Sequence, residues 1–242
     1  MSLHGKQVAV VVPAYCEERF IVGVLVSMPS WVDHVIVVDD ASPDGTADRV
    51  RSHGDPRVRL LVHGSNLGVG AAIASGYHAA LSLGAEAVAV MAGDGQMDPA
   101  DLRAVLDPVV GGQCDYVKGN RFLHSDRRRM PALRRLGSAA LSRLTRGLTG
   151  LDVDDTQCGY TAIGARALRS IPLDDLWPRY GYPNDLLGML AARRLRVTDV
   201  AVRPVYAEEA SGLTPLHPPL IAFVALRRFV LERRRRALGP AA

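Results

Sequence analysis

Apolar residues recur along this chain in short, nearly continuous runs rather than in alternation with polar ones. Val8–Val12, Val35–Val38, Val58–Val62 and Ala87–Met91 are such runs, rich in valine. Continuous β-branched runs are expected of strands covered on both faces, as in a parallel sheet. Between them lie stretches of helical character. Pro13 stops the first strand and Glu17-Glu18 open a helix predicted to reach Met28, while Asn66-Leu67-Gly68-Val69-Gly70-Ala71-Ala72 starts a small-residue helix reaching Leu83. Strand and helix thus alternate through the first hundred or so residues, the pattern of a doubly wound α/β sheet. Further along, Tyr116–Lys118 and Val197–Val202 read as strands, 133–148 as a helix, and Pro218-Pro219 lead a last helix.

Composition fits this picture without changing it. The chain has 242 residues, 48% hydrophobic and 22% charged, enough for one large domain, predicted over residues 1–215, with a basic helical tail over 216–242. The apolar run behind Met1–Lys6 is too short for a signal peptide or a membrane span and reads as a first strand. Cys16, Cys114 and Cys158 show no CxxC spacing, which argues against a zinc site or a disulfide framework and for a reducing, cytoplasmic setting.

Charge is small in sum and uneven in place. The formal net charge is +4, yet eight arginines fall between Arg121 and Arg146 and six between Arg227 and Arg236. Nucleic-acid binding would want aromatics among the basic residues, and aromatics are only 5% of the chain, so that class is set aside.

The informative chemistry sits where strands end. Tyr15 and Glu17 follow the first strand, Asp39 and Asp40 the second, and Met91-Ala92-Gly93-Asp94-Gly95-Gln96-Met97-Asp98-Pro99 the fourth. Ligands of doubly wound sheets bind outside these carboxyl ends. A carboxylate and an amide oxygen on a glycine-rich tip suit a hard cation bridging phosphates, while Asp98 before Pro99 is explained by helix capping alone. The first turn lacks the glycines that would seat a pyrophosphate, which counts against a dinucleotide-binding domain. Paired acids after the second strand suit a base or ribose, whose donors they can accept.

Four motifs carry a resemblance. Val-Val-Pro-Ala-Tyr-Cys-Glu-Glu (11–18), Val-Asp-Asp-Ala-Ser-Pro-Asp-Gly-Thr (38–46), Asn-Leu-Gly-Val-Gly-Ala-Ala (66–72) and Gly-Asp-Gly-Gln-Met-Asp-Pro (93–99) resemble family 2 glycosyltransferases of the GT-A fold. Within them the chain is most similar to the polyprenyl-phosphate sugar synthases, over about residues 7–211. The resemblance implies a mainly parallel sheet with a Rossmann-like nucleotide-binding half, and inverting transfer from a UDP- or GDP-sugar with Mg²⁺ or Mn²⁺ on the diphosphate. It implies Pro13, Ala14, Tyr15 and Glu17 at the base, Val38, Asp39 and Asp40 at the base and ribose, Gly93 and Asp94 at the diphosphate, and Asp94 and Gln96 on the metal. Ala92 stands where the family's pattern has its first aspartate, so fewer anionic ligands are present.

In the second half, Gly119-Asn120-Arg121 matches the family's Gly-x-Arg segment, whose arginine faces phosphate. Asp155 and Asp185 fall at the positions implied to be catalytic; the competing assignments are a turn residue for Asp155 and a helix N-cap for Asp185. A hydroxyl acceptor needs a base, whereas a phosphate acceptor is already an anion. The expected acceptor is a polyprenyl phosphate, with a small soluble hydroxyl or amine acceptor as the alternative. The latter is favoured by Glu208-Glu209-Ala210, where the family's acceptor loop is basic. The arginine-rich segments read as peripheral contacts to the inner face of a membrane or, for the tail, to a partner subunit of a homo-oligomer. A sugar-phosphate nucleotidyltransferase and a non-catalytic nucleotide-sugar binder are the readings from other classes.

Overall fold

A computed structural model of the chain describes residues 3–205 and 217–238. Seven strands form one sheet in the order β3-β2-β1-β4-β6-β5-β7. In chain order they are β1 (Val8–Ala14), β2 (His34–Asp39), β3 (Val58–Val62), β4 (Ala87–Val90), β5 (Tyr116–Asn120), β6 (Thr161–Gly164) and β7 (Val197–Ala201). β1 to β4 are mutually parallel, as the valine runs predict. β6 enters antiparallel between β4 and β5, with Val88 opposite Ile163 and Val117 opposite Ala162, and β7 returns parallel to β5. Only four residues long, β6 offers no hydrophobic pattern that a sequence reading could resolve from its surroundings.

Helices cover both faces, which is why the central strands can be apolar throughout. α1 (Ile21–Val26) and α4 (Leu102–Val110) lie on one side, where Val8, Val10 and Val12 pack with Ile21, Leu102 and Leu106. α3 (Val69–Ser82) and α7 (Tyr182–Ala192) lie on the other, where Ala9 and Val11 meet Ile73, Tyr77 and Leu186. The period-two switch of faces along β1 thus feeds two cores from one strand. α2 (Thr46–Arg51), α5 (Ala132–Thr149), α6 (Ala165–Ser170) and α8 (His217–Leu238) complete the chain.

β1 runs on through Pro13, which pairs with Val38, to Ala14, so proline does not stop the ladder there, and two helix starts near the strand ends also differ from expectation. The first helix begins at Ile21 rather than at the glutamates, because 18–20 form a turn, and the third begins at Val69 rather than Asn66. Gly68 explains the second shift: its φ of 103° lies in the left-handed region, and a side chain there would meet the Pro178 carbonyl at 2.5 Å.

The last helix is the larger surprise. Its apolar residues face all round on a wheel, yet α8 packs on α7 and α5 and buries Ile221, Val224, Ala225, Arg228 and Glu232. The buried stripe continues beyond Ala225 only through the two charged residues, Arg228 and Glu232. Phe223, Leu226 and Val230 stay exposed on the same helix.

Candidate active site

The parallel strands deliver their ends to one place. At the end of β1, the Pro13 carbonyl accepts from Gly93 N (3.1 Å) and the Ala14 carbonyl from Asp40 N (2.9 Å), so β1 ties together the exits of β2 and β4. Tyr15 is exposed just beyond, and Glu17 N donates to the Thr46 hydroxyl at 2.9 Å. Cys16 and Ala41 both hold positive φ, 59° and 60°, in the two turns that face each other there, and Cys16 N donates to Ser42 Oγ (3.0 Å). Backbone strain of this kind concentrates at ligand sites.

Asp39 and Asp40 have different surroundings although adjacent. Asp39 is buried; one oxygen accepts from Ser42 N at 3.3 Å, and the other is buried without a partner among the described residues. An unsatisfied buried acceptor is a place for a ligand's N–H or O–H. Asp40 is fully engaged: Leu67 N (2.9 Å) and His63 Nδ1 (2.7 Å) meet one oxygen, and Gly68 N (2.7 Å) the other. Asp40 therefore shapes the 66–68 loop rather than offering itself to a nucleotide. Val38 is wholly buried, so its side chain belongs to the core.

At the end of β4, Asp94 Oδ1 accepts from Gln96 N at 2.9 Å, across Gly95 in the left-handed region. Beneath this turn Ala92 N points at Met97 Sδ (3.2 Å), and Asp98 caps the following helical turn through Ala100 N (2.9 Å), the capping expected of it. Among the described residues no group of three His, Cys, Asp or Glu side chains could hold a metal by itself. One carboxylate and one amide oxygen do fit a Mg²⁺- or Mn²⁺-type ion that arrives largely on a diphosphate, since such ions are commonly held through one or two carboxylates plus substrate oxygens.

Across the sheet the acids are claimed by arginines. Asp155 is completely buried and takes Arg121 Nε (2.7 Å), Nη2 (2.9 Å) and backbone N (3.1 Å). The guanidinium expected to face phosphate is thus closed on this carboxylate. Asp185, also fully buried, takes Arg228 Nε (2.8 Å) and Nη2 (2.7 Å) as well as Trp177 N (2.9 Å). A buried carboxylate filled by a guanidinium fork is neither a base reaching substrate nor the cap of its own helix. Both acids expected to be catalytic thus stand in arginine ion pairs, and the partner of Asp185 comes from α8, which no local pattern could reveal.

Four further residues were not anticipated. Lys118 is fully buried on β5 with Nζ 2.5 Å from the Cys158 carbonyl, and desolvation brings its ammonium down to about 8 against the pull of Asp155 and Asp199. Asp199 accepts from Asn120 Nδ2 (2.7 Å) and Asp154 N (2.8 Å), and burial raises its carboxyl. His63 supports Asp40. Arg203 closes the end of β7 onto the β4 turn through Asp98 (3.4 Å) and Asp126 (3.2 Å). The expected acceptor loop, 206–212, lies outside the described residues. Beside the Arg121–Asp155 pair opens a cleft of about 600 Å³ lined by Phe122, Ala139, Ser142, Arg143, Arg146 and Asp154.

A model of the family described as "Glycosyl transferase family 2" matches residues 9–176. The chain is 34% identical to the undecaprenyl-phosphate mannosyltransferase of Micrococcus luteus, covering 72% of each. It is 28% identical to the UDP-N-acetylglucosamine–dolichyl-phosphate N-acetylglucosaminyltransferase of Methanococcus voltae, over 84% of this chain and 87% of that one. Among solved structures, glucosyl-3-phosphoglycerate synthase from Mycobacterium tuberculosis with Mn²⁺ and UDP-glucose superposes with a TM-score of 0.70 at 23% identity, over 94% and 81% of the two chains. Mannosyl-3-phosphoglycerate synthase from Rubrobacter xylanophilus gives a TM-score of 0.72 at 17% identity, over 98% and 77%. These two likenesses establish the fold, which is GT-A.

Proposed function

The chain belongs to glycosyl transferase family 2, and from that premise we propose that it moves a sugar, with inversion, from a nucleotide-sugar to a polyprenyl phosphate. The donor's base and ribose lie against Tyr15, Glu17 and the unpartnered oxygen of Asp39. Its diphosphate lies at Gly93–Gln96, where Asp94 and Gln96 would hold Mg²⁺ or Mn²⁺. When bound, that ion neutralises the departing diphosphate.

The observation that carries the acceptor is the state of the two acids. Transfer to a hydroxyl requires a base, and both carboxylates expected in that role are shut in arginine pairs. A lipid phosphate needs none: its oxygen attacks the anomeric carbon, the bond from that carbon to the diphosphate breaks, and the nucleoside diphosphate leaves. The cleft beside Arg121 joins an aromatic and small apolar surface to Arg143 and Arg146, a composition suited to a phosphate on a prenyl chain. The names of the relatives support the same acceptor class.

Such an acceptor places the reaction at a membrane surface, which we put at its cytoplasmic face. No helix among the described residues is long and apolar enough to cross a bilayer. The exposed Phe223, Leu226 and Val230 with Arg227, Arg233 and Arg234 on α8 fit peripheral contact with anionic lipid. Co-sedimentation with phosphatidylglycerol vesicles is the expected result, and protein left wholly in the supernatant would remove the contact.

Transfer of radiolabel from UDP- or GDP-sugars, assayed with undecaprenyl phosphate, tests the whole reading. Label should enter the organic phase, and Asp94→Ala should reduce the rate about a hundredfold, the scale of losing one charge-stabilising group. Label found only in water-soluble product would instead establish a small soluble acceptor.

A further inference from the structure

Arg228 is the bulkiest of the fully buried side chains among the described residues, and it belongs to the helix farthest from the strand ends in sequence. Beyond its two bonds to Asp185, Nη2 donates to the Asp175 carbonyl (2.7 Å) and Nη1 to Glu232 (3.3 Å). α7 makes room for it: a side chain at Gly188 would stand 2.5 Å from Arg228 Cγ. Desolvating two charges is costly, and apolar residues of similar volume often pack as stably, so stability is a weak account of this pair.

What the pair does hold is a loop. Asp185 Oδ2 accepts from Trp177 N (2.9 Å), and Trp177 Nε1 donates to the Tyr180 carbonyl (3.0 Å). α8 grips the same loop directly, with the Arg227 guanidinium 5.6 Å from the centre of the Trp177 ring and the His217 ring edge-on to Tyr180 at 4.5 Å. On its other side the loop meets the donor pocket. The Pro178 carbonyl accepts from Ala71 N (3.1 Å), and Arg179 donates to Asn66 O (3.2 Å) and Oδ1 (3.4 Å). The 66–68 segment held there is the one whose Leu67 and Gly68 amides satisfy Asp40, beside Asp39. A series of hydrogen bonds, joined by the backbone of 177–179 and of 66–68, therefore runs from Arg228 through Asp185 to the end of β2.

We propose that Arg228 and Asp185 are a positioning pair, through which the seating of α8 on α7 sets the 176–181 loop and thereby the wall of the nucleotide pocket. The proposal rests on the nucleotide-sugar reading of that pocket. It makes Asp185 a residue that acts on donor affinity through Arg228. It also ties donor binding to a helix whose outer face is free to meet a bilayer.

A chain of contacts is not yet coupling, so the test is a double-mutant cycle read by nucleotide binding. UDP and GDP titrations by calorimetry in the presence of Mn²⁺ would be run on the full chain, on Arg228→Gln, on Asp185→Asn and on the double variant. Each single change should raise Kd between about 2- and 30-fold, the double should be no worse than the poorer single, and kcat at saturating donor should stay within a few-fold. Arg228→Lys keeps the charge but not the fork, so it should fall between wild type and Arg228→Gln; this holds the test if Arg228→Gln does not fold. Unchanged Kd in Arg228→Lys and Asp185→Asn, or collapse of kcat in Asp185→Asn alone, would overturn the pair's role. Failure of the wild-type chain to bind either nucleotide would instead overturn the reading beneath it.

Discussion

The two halves of the sheet hold their acids by different means. At the ends of β1 to β4, carboxylates are satisfied chiefly by backbone amides. Asp40 takes the amides of Leu67 and Gly68, Asp44 takes Thr46 N (3.1 Å) and Oγ1 (2.6 Å), and Asp94 takes Gln96 N. Around β5 to β7, each fully buried acid is closed by an arginine far away in sequence: Arg121 on Asp155, 34 residues on, and Arg228 on Asp185, 43 residues back. Backbone donors come with the conformation of a loop and survive the loss of any one side chain. A buried ion pair does not, because removing one partner leaves a desolvated charge. The side at β1 to β4 thus rests on backbone donors, and the far side on single side-chain partners.

That contrast can be broken by stability measurements. Arg121→Met should cost the most, about 3–5 kcal/mol in urea unfolding, because Asp155 is left buried with one amide donor. A loss below 1 kcal/mol would mean that the far half does not rest on single partners in this way.

Lys118 sharpens the contrast through pH. Its ammonium sits at about 8 in the folded chain against an ordinary 10.5, so between these values the unfolded chain binds more protons. Its burial therefore weakens the fold most below pH 8, and stability from this group rises as pH goes from 8 to 10.5, by at most about 1.4 kcal/mol per pH unit. Lys118→Met should flatten that rise relative to wild type when unfolding is compared at the two ends of the window. Equal slopes would show that the amine titrates normally.

His63→Leu, on the donor side, should have the smallest effect, about 1 kcal/mol, since two amides still hold Asp40. A cost as large as that of Arg121→Met would erase the distinction between the halves.

The same division governs what could be read beforehand. The valine runs, Asp98 as a cap, and the acids gathered at the ends of β2 and β4 all follow from patterns a few residues wide. Asp185 shows the limit. The family resemblance makes it a candidate catalytic acid and its neighbours a helix cap, while its carboxylate is paired with Arg228 on α8. The tail was misleading for the same reason, because its buried stripe contains two charged residues that are compatible with a core only where Arg228 meets Asp185 and Glu232 meets Arg228.

By itself, then, the sequence determined the alternation of strand and helix, the parallel character of β1 to β4 and the identity of the acids at their ends, because hydrophobic period and turn chemistry act over a handful of residues. Only the tertiary structure decided which acids are ion-paired and which keep an unpartnered oxygen, where the short β6 enters, and that the last helix reaches back to the loop beside Asn66–Gly68. A buried carboxylate's role is set by what surrounds it in space, and here those surroundings are assembled from residues dozens of positions apart.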